Sequence, residues 1–232
     1  MALTAAQICN LAMQIAKCPG FTTQAGELLN AILSDLSQTY DFEIARGVYS
    51  FSFNSVVGTG SGPYTLPADW LRGKDKSIFY TINNVPYPMI NIELDQYDDL
   101  TNMPGMASYP NYYATDMSQS PPTMLVWPPA SGAYPVTARY YKQMADITSP
   151  ETSSTVPWFQ NTQYLITELS ARLMDITDDE RKELKRGEAK DLLTHYLKLQ
   201  GDRGGKVNQV QLDRRVFRNS FNRLPNTKNM GW

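Results

Sequence analysis

The chain has 232 residues, 42% of them hydrophobic and 19% charged, a balance that supports a folded core and excludes disordered and fibrous classes. Its formal net charge of −2 shows no overall polybasic character, yet the charge is unevenly placed. Residues 202–232 carry seven Lys/Arg against two Asp, leaving 14 against 21 for residues 1–201. An acidic body with a basic tail predicts that the tail meets an acidic partner, or an acidic patch on a neighbouring copy.

Cys9 and Cys18 are the only cysteines. On or near one helix they stand roughly 13 Å apart, too far to bridge, so the expectation is folding in a reducing cytosol. The amino terminus lacks the basic region and apolar core of a signal peptide. No apolar run approaches the roughly 20 residues that span a bilayer. A soluble protein made inside the cell, with no membrane partner, is expected.

Thr4 followed by Gln7 is a capping-box pattern, and Ile8, Leu11, Ala12 and Ile15 then recur at helical spacing. Cys18-Pro19-Gly20 stops that helix. A second begins near Thr22 or Thr23, carries the stripe Leu28, Leu29, Ile32, Leu33 and Leu36, and is predicted to run to about Ala45. From Val48 the period changes to two. Tyr49, Phe51 and Phe53 alternate with Ser50, Ser52 and Asn54, the mark of a half-buried strand. Gly58, Gly60, Gly62 and Pro63 predict a turn. Further strands are expected at Ser77–Thr81, Tyr87–Ile92, Tyr112–Ala114, Thr123–Trp127 and Tyr134–Met144, with one short helix in "IELDQYDDL". Thr123–Met144 reads as a stiff hairpin turning on Trp127-Pro128-Pro129-Ala130-Ser131-Gly132.

Helical spacing returns after Thr155, with Pro157 suited to a first turn and Leu165, Ile166, Leu169, Leu173 and Met174 on one face. Ile176-Thr177-Asp178-Asp179 interrupts it, and Asp178 is a plausible cap for a last helix to about Leu199. That helix carries Leu184, Ala189, Leu192, Leu193, Tyr196 and Leu197. Gly201, Gly204 and Gly205 are expected to break it. The fold class is therefore α+β: a helical bundle from residues 1–47 and 151–200, an inserted antiparallel β domain, sandwich or barrel-like, over 48–150, and an extended basic arm over 201–232.

Little in the chain suggests chemistry. His195 is the only histidine, which rules out His-pair zinc sites and weakens any His-based triad; it reads as a helix-surface residue. Asp178-Asp179-Glu180 is explained by capping and the helix dipole. Gly58-Thr59-Gly60-Ser61-Gly62 lacks the Gly-Lys-Ser/Thr of a phosphate loop. No catalytic residue, cofactor or metal is expected. Arg203, Lys206, Arg214, Arg215, Arg218, Arg223 and Lys228 could neutralise phosphates, with Phe217 and Phe221 stacking on bases. Apolar anchors between cations equally suit a segment that clips into an acidic protein partner, and this reading is preferred. Tyr109, Tyr112, Tyr113, Tyr140 and Tyr141 crowd the β region as core or interface.

Three stretches carry a resemblance: Tyr64-Thr65-Leu66-Pro67-Ala68-Asp69-Trp70-Leu71-Arg72; the Trp127-Pro128-Pro129-Ala130 turn leading to Arg139-Tyr140-Tyr141; and Ile147-Thr148-Ser149-Pro150 leading to Val156-Pro157-Trp158. In this order, between helical ends, the chain resembles the head-to-tail adaptor (connector) proteins of tailed bacteriophages. It is most similar to those of short-tailed phages, of the tail tubular or tail accessory type. The resemblance implies a structural, non-enzymatic virion protein made in the host bacterial cytoplasm. It implies a ring, typically of twelve copies, that docks beneath the portal protein, extends the channel for double-stranded DNA without reading its sequence, and holds tail nozzle, tube or fibre proteins. By the same inference Val207, Val210, Leu212, Arg214, Arg215, Val216, Phe217, Arg218, Phe221 and Arg223 form a portal-contacting arm. Trp127, Pro128, Pro129, Tyr140 and Tyr141 contact the tail or a neighbouring copy, with one tyrosine ring entering the core and the other presented outward. The alternatives are another tail component (tube, terminator or baseplate protein) and a nucleic-acid-binding module that uses the basic tail.

Overall fold

The structure, a computed structural model, describes residues 2–54, 62–102 and 107–203. The predicted tail contacts from Val207 to Arg223 and most of the Gly58–Gly62 turn lie outside them. Helix α1 (Ala5–Ala16) starts on a reciprocal capping box: Gln7 N–H donates to Thr4 Oγ1 at 3.3 Å and Thr4 N–H donates to Gln7 Oε1 at 3.0 Å. Its buried stripe is Ala5, Ile8, Cys9, Ala12, Met13 and Ala16. Leu11 and Ile15, expected inside, are 38% and 36% exposed. Helix α2 (Thr22–Thr39) stops short of Ala45, and a single 3-10 turn (Glu43–Ala45) follows. The break lets Phe42 turn inward, where it meets the rings of Trp158, Phe159 and Tyr196.

Between these helices and their return the described residues form eight strands and one short helix: β1 (Arg46–Ser52), β2 (Tyr64–Thr65), β3 (Trp70–Ile82), β4 (Val85–Pro88), β5 (Ile90–Asn91), α3 (Leu94–Thr101), β6 (Tyr112–Asp116), β7 (Thr123–Trp127) and β8 (Pro135–Lys142). They form two four-stranded sheets, ordered β1-β8-β3-β4 and β2-β7-β6-β5. Pairing is antiparallel except between β5 and β6. Phe53, Trp70, Ile78, Tyr80, Val136 and Ala138 from the first sheet and its margins pack against Tyr113, Met124 and Val126 from the second, so the β region is a sandwich. β3 and β4 turn on Asn83 and Asn84, both left-handed at φ 50° and 64°, as a two-residue hairpin requires.

Thr123–Met144 is not a hairpin. β7 and β8 belong to different sheets, and the connection between them crosses the sandwich. Pro128 and Pro129 supply no donors to prolong the β7 ladder, and Ala130 instead bridges to Ser108 while its side chain is buried.

Two further helices close the bundle, α4 (Thr162–Ile176) and α5 (Lys182–Arg203). Pro157 precedes α4 rather than opening it; Trp158 and Phe159 first turn toward Phe42, and the Asn161 side chain then accepts from Tyr164 N–H. α4 packs on α1, α2 and α5, its Leu165, Leu169 and Leu173 fully covered. The return linker also reaches α1, where Ala5 and Ala6 N–H donate to the carbonyls of Thr155 and Ser153, satisfying donors that a helix start leaves open. α5 does not break at Gly201; its backbone continues helical to Arg203. Leu184, assigned to its apolar face, is 65% exposed.

Candidate docking interface

The sandwich and the bundle have separate cores that meet at two consecutive residues of β8. Successive strand residues point to opposite faces, so Tyr140 enters the sandwich core and Tyr141 the helical core. They are 5% and 4% exposed, so neither ring is presented to a neighbouring copy. The face opposite the sandwich core is covered here by the chain's own helices.

Tyr140 is tightly seated. Its ring stacks on Trp70 at 4.7 Å between centroids and 12° between planes, and its hydroxyl donates to Asp69 Oδ1 at 2.9 Å. The residues directly across from it on both neighbouring strands are glycines, Gly47 on β1 and Gly73 on β3. Burial, followed by the bond to Asp69, pushes its phenol up to about 12. On the other face Arg72 lies over the Tyr141 ring at 5.4 Å and donates to the Gln38 carbonyl and to Asp41 Oδ1, both at 2.6 Å. This ties β3 to the end of α2. Asn30 makes a second tie: its Nδ2 donates to the Ile147 carbonyl and its Oδ1 accepts from Ile147 N–H, both at 3.0 Å.

The Trp127–Tyr134 crossover places its half-buried aromatics next to two exposed tyrosines of other segments. Trp127, Pro128 and Pro129 are half-buried, and their carbonyl groups help to fix the neighbouring chain: Asn111 N–H donates to Trp127 and Ser108 N–H to Pro129. That pairing sets Tyr109 beside Tyr134, and the rings continue through Tyr80 to Tyr87 at successive centroid distances of 5.9, 5.7 and 5.6 Å. The inner member, Tyr80, is covered and its phenol is pushed up by burial, whereas Tyr87 and Tyr109 are 43% and 53% exposed. Sequence reasoning missed this row because its members come from four separate segments. Of the crowded tyrosines, Tyr113 is buried with Tyr140 and Tyr141, Tyr112 is half-buried, and Tyr109 alone is exposed.

The remaining candidates for chemistry are occupied by structural contacts or exposed to solvent. His195 is exposed on α5. Asp179, rather than Asp178, accepts the Arg181 N–H at the start of α5; the Arg181 guanidinium first, and that bond second, hold its carboxyl down to about 2. Asp178 adopts φ 50° and pairs with Lys182. An open cavity of about 360 Å³ lies between α2 and the sandwich, lined by Ser34, Ala68, Asp69, Gln143, Met144 and Asp146. Its one carboxylate beside the sandwich already serves Tyr140. Among the described residues no three His, Cys, Asp or Glu gather to hold a metal ion, and no helix is long and apolar enough to cross a membrane.

Comparison with protein families gives a match to the SU10 adaptor protein model over residues 3–220. Comparison with curated individual proteins gives none.

Proposed function

This chain belongs to the SU10 adaptor protein family, and from that premise we propose that it forms a homo-oligomeric ring beneath the portal, extends the DNA channel and gives the tail its platform. As a phage adaptor it is a structural component of the virion, in a family that is not an enzyme class and that engages portal and tail proteins. The finer reading, a ring of twelve at the head-to-tail junction of a short-tailed phage, is ours. Its chief support is the joining of two separately cored modules by the buried Tyr140 and Tyr141, with the partly exposed Arg72 bonded across the seam. An adaptor needs one module to build the ring and another, held rigidly to it, to receive the next component. The bundle takes the first role and the sandwich the second, with Trp127, Pro128 and Pro129 and the row from Tyr109 to Tyr87 as the contact surface.

The basic arm completes this reading. Val207, Val210, Leu212, Val216, Phe217 and Phe221 supply apolar anchors between Arg214, Arg215, Arg218 and Arg223, a pattern suited to a groove on an acidic partner. An acidic body suits a conduit through which DNA slides without being held. Electron microscopy of the purified chain with portal should show a ring seated on the portal. Val216→Asp together with Phe217→Ser and Phe221→Ser should abolish co-sedimentation with portal; undiminished binding would overturn the arm assignment. Salt-dependent DNA binding that disappears when Arg214, Arg215 and Arg218 are neutralised, with no portal binding, would favour a nucleic-acid module instead.

A further inference from the structure

The two edges of the first sheet differ in what they offer another strand. At β4, Met89 N–H donates to the Ile78 carbonyl at 2.9 Å. With the register Phe79↔Pro88 and Tyr80↔Tyr87, this makes Val85 and Tyr87 the residues bonded to β3 and turns Pro86 and Pro88 outward. Outward prolines offer no donors, and that edge is closed. At β1, Phe53 N–H donates to the Tyr134 carbonyl at 3.0 Å. Followed back along the register, Phe51, Tyr49 and Gly47 bond to β8, while Val48, Ser50 and Ser52 direct their N–H and C=O groups away from the sheet. No described strand lies on that side. Val48 is 67% exposed; the strand contains neither Pro nor Lys, and its one charged residue, Arg46, stands at the bundle end paired with Glu43, so the rest of the edge lacks the residues that commonly protect one. On its inner face the rings of Tyr49 and Phe51, stacked at 5.6 Å, are only partly covered at the margin of the sandwich core.

We propose that in the unassembled protein this edge is taken by the chain's own segment Val207–Leu212, added as a strand alongside β1. Gln209-Val210-Gln211-Leu212 alternates polar and apolar residues without Pro or Gly, the pattern of a strand with one covered face. Val210 and Leu212 then lie over Tyr49 and Phe51, and Gln209 and Gln211 face solvent. The chain can reach. Tyr196 of α5 lies 6.4 Å, ring to ring, from Phe42, four residues before β1. The described part of α5 runs about 10 Å further, to Arg203, and the seven residues from there to Val210 extend up to about 24 Å. Entering from the bundle end, the segment runs parallel to β1. A second copy is the poorer occupant: its β4 edge has prolines where donors are needed, and β1 on β1 closes a two-fold pair rather than a ring. Portal engagement, on the reading above, draws the same residues off the edge.

Hydrogen exchange of the full chain, without portal, tests this. The amides of Val48, Ser50 and Ser52 should be protected, and Val210→Pro with Leu212→Pro should accelerate their exchange at least tenfold. Ser220→Pro, beyond the segment, should leave them unchanged. Rapid exchange in the unaltered chain, protection that survives both prolines, or protection that rises with protein concentration would each overturn the proposal.

Discussion

Replacing Gly47 by alanine tests the seat of Tyr140 directly. The backbone there does not require glycine, and a methyl group would on its own reduce unfolded-state freedom, a gain of about 0.4–1 kcal/mol. The obstacle is the facing ring. A β-carbon at Gly47 falls 2.6 Å from both Cε1 and Cζ of Tyr140 and 2.9 Å from Cε of Lys142. The lysine end can swing away. The tyrosine is held by its stack on Trp70 and its bond to Asp69, so retreat gives up one or both. Overpacking of this kind costs about 1–3 kcal/mol, which outweighs the chain-entropy gain. At the middle of these ranges the net loss is about 1.3 kcal/mol, which for a chain of this size lowers the melting temperature by about 3–5 °C. Thermal unfolding by circular dichroism measures it, and the same change in a Tyr140→Leu background should cost markedly less, because the two residues interact. An unchanged or raised melting temperature for Gly47→Ala, or equal costs in both backgrounds, would refute the close packing described.

Three other outcomes are expected. The Tyr140 phenol is raised in the fold above its usual value of 10, so its contribution is fully present below pH 10 and is lost as pH rises toward 12. The melting-temperature difference between wild type and Tyr140→Phe should therefore narrow from pH 10 to 12, and a constant difference would contradict the assignment. Asn30→Leu removes both bonds to the Ile147 backbone and should cost about 2 kcal/mol, seen as a lower urea midpoint with unchanged slope; a midpoint equal to wild type would show that the linker is held otherwise. Burial, and secondarily the Glu151 charge, raises the Cys9 thiol to about 11, and burial raises Cys18 too. Neither should react with an aromatic disulfide reagent at pH 8 until the protein is unfolded, and prompt reaction of one thiol would place it outside the core.

Local signals were legible where one residue pair or one period decides the outcome. Thr4 and Gln7 specify their cap through a three-residue spacing, and the switch to period two at Tyr49 and Phe51 marks the strand. Helix α1 was harder because almost every position from Ile8 to Ala16 is apolar. Two adjacent stripes fit helical spacing, and only packing against α2 and α4 selects Cys9 and Met13 over Leu11 and Ile15. The segment Thr123–Met144 shows the limit most clearly. Two strands joined by prolines look like a hairpin along the chain, but pairing is a property of the sheet, and these strands chose different sheets. Tyr140 and Tyr141 follow from the same limit. Alternation predicts opposite faces correctly, but sequence alone does not reveal that helices cover the second face. The aromatic row from Tyr109 to Tyr87 had no sequence signal beyond an abundance of tyrosine.

The first and last full strands of the sandwich are neighbours in one sheet, and Arg46 and Tyr141 face each other across them. Directly opposed residues of an antiparallel pair are about 5 Å apart at their Cα atoms, so the helical scaffold receives everything between them through a gap that a single tight turn could close. Such a junction lets the inserted sandwich vary in length and sequence while the helices that anchor it keep most of their own core.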